Sequence, residues 1–181
     1  MLQAARAWTV PDVVAPGLRV LFVGINPGLY TGATGHHFAK PGNRFWPTLH
    51  RAGFTPRLYS PCEVDTLPAL GLGVTNLVMR TTASAVELTP DELRAGGKRL
   101  ARLVARMKPA WVAFLGLDAY RIAFGRKHAR VGEQPETMGT TRVWLLPNPS
   151  GLNASWQAPA LAQAFAALRR AAFPDPVPDD A

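Results

Sequence analysis

Apolar and polar positions along the chain follow two rhythms. Four short runs are continuously apolar: residues 18–25 (LRVLFVGI), 72–78 (LGVTNLV), 110–115 (AWVAFL) and 142–146 (RVWLL). They are β-branched, bounded by Gly or Pro, and lack the alternation of a half-exposed strand, which predicts strands covered on both faces. Between them the spacing becomes helical. The clearest pattern starts at Thr89, where an N-cap, Pro90 and Glu92 make a capping box. Leu93, Leu100, Leu103, Val104 and Met107 then share one face, with Lys98, Arg102 and Arg106 on an opposite, solvated face. Gly96 and Gly97 weaken the pattern in its first turns. Shorter helices are predicted over 43–52, capped by Asn43, and over 117–124. A last one over 156–172 buries Leu161, Phe165 and Leu168.

Strands alternating with helices predict an α/β fold, a three-layer sandwich whose short, mostly parallel central sheet of about four strands is flanked by helices. One domain is expected over residues 10–173. Residues 1–9 are expected to be loosely held, and the Pro-rich acidic tail 174–181 (PDPVPDDA) to be disordered.

Composition narrows the picture. Apolar residues are 48% and charged residues 18% of 181, a globular balance. The formal charge is +8, but Asp175, Asp179 and Asp180 lie in the last eight residues. Residues 1–173 therefore carry twenty Lys and Arg against nine acids, a net +11 that favours a polyanionic partner. The single cysteine, Cys62, excludes an internal disulfide and any multi-Cys zinc or iron–sulfur site. His36 and His37 have no further His or Cys at ligand spacing, so neither metal nor cofactor is expected. Apolar runs of about seven residues are too short to span a membrane, and the expectation is a soluble intracellular protein.

In such a sheet, ligands bind beyond the carboxyl ends of the strands. Two loops there stand out. The first is Gly24-Ile25-Asn26-Pro27-Gly28. It can be an ordinary Gly-Pro turn, yet an Asn at a strand tip, with Pro fixing the backbone after it, suits orienting a water or a polar ring. The second is Asn148-Pro149-Ser150-Gly151-Leu152-Asn153. Read blandly it is a turn into the last helix. Leu152, apolar at the centre of a polar turn, instead suits a wedge pushed between bases.

GINPG and NPSGLN, about 120 residues apart with HHFAKPGNRFW between them, resemble the mismatch-specific uracil-DNA glycosylases, bacterial relatives of thymine-DNA glycosylase within the uracil-DNA glycosylase superfamily. The similarity runs from about Val10 through VTNLVMRTT and ELRAGG to NPSGLN. It implies hydrolysis of the N-glycosidic bond of uracil flipped out of double-stranded DNA, favouring G·U mismatches, by a monomer without cofactor in the bacterial cytoplasm. By that resemblance Asn26 positions the attacking water, and Gly24, Ile25, Gly28, Phe38 and Asn76 line the base pocket. Phe38 stacks on the base. Gly28 stands where stricter relatives place a bulky Tyr, so a permissive pocket open to modified pyrimidines is expected. Asn76 either meets the pyrimidine edge or satisfies buried backbone. Gly151, Leu152 and Asn153 match the wedge, with Asn148 and Ser150 in the same DNA-contacting turn. Some relatives carry an Arg two residues after the wedge Leu, where this chain has Ala154.

Asn is not a base at neutral pH, so a carboxylate on the same rim is the natural assistant. Of Glu87, Asp91 and Glu92, the last is committed to its capping box, and Asp91, held at a helix start, is the preferred candidate. Lys40, Arg44 and Arg80, near the two motifs, are candidates for phosphate contacts, with Thr31 at the pocket mouth. Two other classes compete: a damaged-base or mismatch DNA-binding module that does not cut, and a phosphate-binding α/β enzyme. The second lacks both GxxxxGK[ST] and GxGxxG.

Overall fold

The computed structural model describes residues 8–174. The chain runs β1 (Val20–Gly24), α1 (Leu29–Thr34), α2 (Phe45–Arg51), β2 (Leu72–Asn76), α3 (Pro90–Met107), β3 (Trp111–Leu115), α4 (Leu117–Phe124), β4 (Gly132–Met138), β5 (Thr141–Leu146) and α5 (Ala158–Ala172). Short 3₁₀ turns cover Pro61–Leu70 and Ala85–Glu87. The predicted loose ends lie mostly outside the described residues. Within them, Trp8 is tied down by its carbonyl, which accepts from Thr81 Oγ1 at 2.8 Å.

The sheet order is β2-β1-β3-β5-β4; four strands are parallel and β4 runs antiparallel to β5. The predicted runs all became strands because both faces of each are covered. Val20 and Phe22 point to one layer with α2 and α5, while Leu21 and Val23 point to the other with α3 and α4. Phe22 sits at the centre of the first layer, its ring 5.5 Å from Phe45 and 5.4 Å from Phe54.

The fifth strand, β4 (GEQPETM), is the difference from the expected sheet of about four. An edge strand has one neighbour and a solvated flank, so it needs no apolar run and tolerates Pro135. The α3 capping box is present, with Thr89 Oγ1 accepting from Glu92 N at 3.2 Å and Glu92 Oε2 accepting from Thr89 N at 2.9 Å. The two glycines that blurred α3 mark close approaches. A Cβ at Gly96 would collide with the Leu77 carbonyl, and one at Gly97 would stand 3.3 Å from the Phe124 ring. Gly96 thus lets α3 lie directly against the end of β2.

Candidate active site

A cleft of about 240 Å³ opens at the carboxyl ends of the strands. It straddles β1, where the strand order reverses and open α/β sheets offer a crevice. Gly24, Ile25, Asn26 and Gly28 from the first loop, Asn76 from β2 and Asn148, Ser150 and Leu152 from the last loop all line it, with Thr31, Phe38 and Lys40. Residues about 120 apart in sequence therefore share one wall because β1, β3 and β5 are parallel neighbours.

Asn26 is locked from behind. Its Nδ2 donates to Thr82 Oγ1 at 2.7 Å and to the Arg80 carbonyl at 2.9 Å. Thr82 Oγ1 spends its own proton on the Ser84 carbonyl, 2.9 Å away, and the Pro27 carbonyl lies 3.2 Å from the same nitrogen, so every partner of the amide nitrogen is an acceptor and the amide orientation follows. That leaves Asn26 Oδ1 without a partner among the described residues, an acceptor available to a water in the cleft. Nothing in the sequence singled out Thr82.

Asn76 presents the complementary feature. It is 3% exposed, and its Nδ2 is buried without a hydrogen bond. A buried donor without a partner costs free energy, and Asn76 is one of the residues that line the cleft. A Cβ at Gly24 would meet Asn76 Oδ1 at 2.6 Å and the Phe38 ring at 3.3 Å, so glycine there leaves both side chains room. Phe38 is held at φ 55°, a region costly for a non-glycine residue. Its ring stacks on Phe45 with centroids 4.0 Å apart and also lines the cleft. At Gly28 a Cβ would meet nothing within 4 Å.

His37, also in the lining, is buried and donates Nε2–H to the Pro11 carbonyl at 2.8 Å. Burial pushes its pKa below the usual 6.5, against that hydrogen bond and the charge of Asp12. Behind Asn76, Arg99 Nη2 donates to the Asn76 carbonyl at 2.6 Å, and its Nη1 donates to Asp12 at 3.3 Å, which anchors the end of β2.

The last loop is braced internally. Asn148 Oδ1 accepts from Ser150 N at 2.9 Å, and Asn153 Nδ2 donates to the Asn148 carbonyl at 3.0 Å. A Cβ at Gly151 would stand 2.5 Å from the Gly42 carbonyl, so this turn packs closely against the segment that leads into α2. Leu152 projects from this brace, 84% exposed.

Three expected positions differ. Asp91 does not reach the cleft: its carboxylate is 94% exposed and pairs with Arg94 at 2.9 Å, because the first turn of α3 turns that side outward. Arg44 is not a surface cation. Its guanidinium is turned inward, donating to the carbonyls of Trp156 (2.5 Å), Ser150 (2.9 Å) and Asn153 (3.1 Å), so it staples the wedge loop. Arg80 is engaged by Glu92, at 2.7 Å and 3.2 Å, and this pair together with the Thr89 amide lowers the Glu92 pKa to about 2. Its contribution to the site is its backbone carbonyl. Lys40 is exposed at the mouth with no ion pair among the described residues. Thr31 is 6% exposed and belongs to the wall. Among the described residues no carboxylate lines the cleft, and no cluster of three His, Cys, Asp or Glu is placed to hold a metal. Among them, too, no helix is long and apolar enough to cross a membrane.

A small cleft of amides and one aromatic ring thus lies beneath an exposed apolar side chain on a basic body. The family model of the uracil DNA glycosylase superfamily matches residues 11–172, nearly the whole described chain. The chain belongs to that superfamily, whose members are hydrolases of DNA repair.

Proposed function

We propose that this protein flips uracil out of duplex DNA and hydrolyses its N-glycosidic bond, favouring G·U mismatches and admitting other modified pyrimidines. The observation that carries this reading is the pairing, in one cleft, of the acceptor Asn26 Oδ1 with the buried, unpartnered donor Asn76 Nδ2. Asn76 offers its amide to a pyrimidine carbonyl stacked beside Phe38. Asn26 holds a water against the sugar carbon, and its amide oxygen accepts one of the water's hydrogen bonds.

Bond breaking leaves positive charge on the sugar and negative charge on the departing base. Asn76 Nδ2–H then donates to a base oxygen that has become more negative, so the bond strengthens as the reaction proceeds. Water adds to the sugar carbon and gives up a proton; the base leaves with the bonding electrons and is protonated by solvent. Leu152 fills the gap in the stack, which offsets part of the flipping cost of a few kcal/mol. The open space at Gly28 supports a pocket tolerant of substituents on the ring.

A second reading, a damaged-base binder that does not cut, draws support from a cleft whose lining among the described residues holds amides and hydroxyls but no carboxylate. One assay separates the two. Labelled duplexes with G·U, A·U or G·T, and single-stranded U, are incubated with protein and then treated with alkali. We expect breaks at uracil, most with G·U, and only after alkali. Tight binding without breaks in any substrate would leave the binding module. Asp91→Asn is expected to leave single-turnover excision unchanged.

A further inference from the structure

We infer that residues 8–13 form a strap that holds the cleft in its working shape from behind, and that Asp12 is the positioning residue of that strap, acting on Asn76 through Arg99. This rests on the proposed reading that Asn26, Phe38 and Asn76 meet the water and the base.

The strap starts as cover for a strand edge. Val13 and Val74 exchange both backbone hydrogen bonds at 2.8 Å, antiparallel, on the outer edge of β2. Covering that edge needs no more than this pairing. Because it is antiparallel, the chain before Val13 runs beside the residues after Val74, toward the cleft. Three further ties follow there. Asp12 Oδ1 accepts from Thr75 Oγ1 at 2.5 Å, the Pro11 carbonyl from His37 Nε2 at 2.8 Å, and the Trp8 carbonyl from Thr81 Oγ1 at 2.8 Å. Thr75, His37 and Thr81 each stand immediately before a residue of the site: Asn76, Phe38, and the Thr82 that holds Asn26. One short segment therefore restrains the chain beside all three. At Phe38, a φ of 55° persists only where its neighbours over-determine it. The His37 ring on Pro11, with the Trp46 indole donating to the His37 carbonyl at 3.1 Å, provides that restraint.

Asp12 is the tie with a second reach. Its Oδ2 accepts from Arg99 Nη1 at 3.3 Å, while Arg99 Nη2 donates to the Asn76 carbonyl at 2.6 Å and to Thr75 Oγ1 at 3.1 Å. The side chains of Asp12 and Arg99 are mostly withdrawn from water, where charge-assisted bonds are strong. The carboxylate thus aims the guanidinium, and the guanidinium pins the Asn76 backbone. That matters because Asn76 Nδ2 has no hydrogen bond of its own to fix its direction. An amide aligned before the base arrives needs no alignment in the transition state. Edge cover alone gives no reason for a carboxylate at position 12; the hold on Asn76 does.

The test compares Asp12→Ala, Arg99→Met and the double variant with wild type in single-turnover excision at saturating protein. The substrates are duplexes carrying uracil or 5-fluorouracil opposite G. Fluorine stabilises the departing anion, so that base asks less of Asn76. Each single variant should slow uracil excision roughly 10- to 100-fold, the order of loss expected for a displaced group. The loss on 5-fluorouracil should be several-fold smaller. The double variant should be no slower than the slower single one, because both residues act along one path. Affinity for a duplex with a tetrahydrofuran abasic analogue should stay within about twofold of wild type, since no DNA-facing group is changed. Arg99→Met leaves Asp12 bonded to Thr75 and decides the matter if Asp12→Ala folds poorly. A uracil rate constant within threefold of wild type, equal slowing of both bases, or a loss confined to Tm and reaction amplitude overturns the inference and leaves the strap as edge cover. Failure of the cleft reading would appear separately, as wild-type protein that excises neither base.

Discussion

Replacing Asn76 by Ala sets stability against function. In most buried positions, losing an asparagine breaks hydrogen bonds and lowers stability by about 1–3 kcal/mol. Here Nδ2 has no partner to lose, and its burial costs about the same 1–3 kcal/mol in desolvation. Truncation removes that cost, and the space it opens joins the cleft, where water can enter. Some packing against Gly24 and Phe38 is lost, so the net expectation is a gain of about 1 kcal/mol, or roughly 2–4 °C in Tm for a domain of this size. Excision should move the other way. An unpaired base carbonyl in the cleft costs about 1–3 kcal/mol in the transition state, roughly a 5- to 150-fold fall in single-turnover rate on a G·U duplex. Calorimetry and a single-turnover time course on one preparation read both quantities. A drop of 4 °C or more with excision within twofold of wild type would refute the reasoning and make Asn76 a structural residue.

Gly28→Tyr should leave Tm nearly unchanged, since Gly28 is at φ −77° and a Cβ there meets open space. It should reduce excision of 5-substituted uracils far more than of uracil; an unchanged substrate ratio would count against the permissive-pocket account. Arg44→Met should lower Tm by several degrees, through loss of charge-assisted bonds worth roughly 1.5–3 kcal/mol each, and weaken duplex binding without altering its salt slope. A slope smaller by about 1 would mean a phosphate contact instead. His37 gives a pH signature. Its folded pKa is lowered, so the unfolded chain binds the proton more readily. The stability this preserves is complete above about pH 6.5 and is lost as pH falls through that value toward the folded pKa. His37→Gln should flatten that part of the stability–pH curve, measured by urea unfolding between pH 7.5 and 5; an unchanged slope would remove His37 as its source.

The sequence by itself determined the parallel sheet, because burial on two faces demands continuous apolar runs, and it marked α3 through a capping box that is purely local. It also pointed to both loops of the cleft, since Gly, Pro and Asn at strand tips constrain the backbone wherever the strands end up. It did not carry β4, whose edge position removes the need for an apolar signal. It did not reveal why α3 holds two glycines, because the collision avoided at Gly96 is with a carbonyl nineteen residues earlier. Charged residues were the least legible of all. Arg44 and Arg80 came into consideration through their nearness to the motifs, and Asp91 because a helix start holds it on the same rim. Only the tertiary structure decided that Asp91 faces solvent, that Arg44 turns inward to three carbonyls and that Arg80 closes on Glu92. A long charged side chain goes where distant partners draw it, whereas an apolar run has no choice but to be covered.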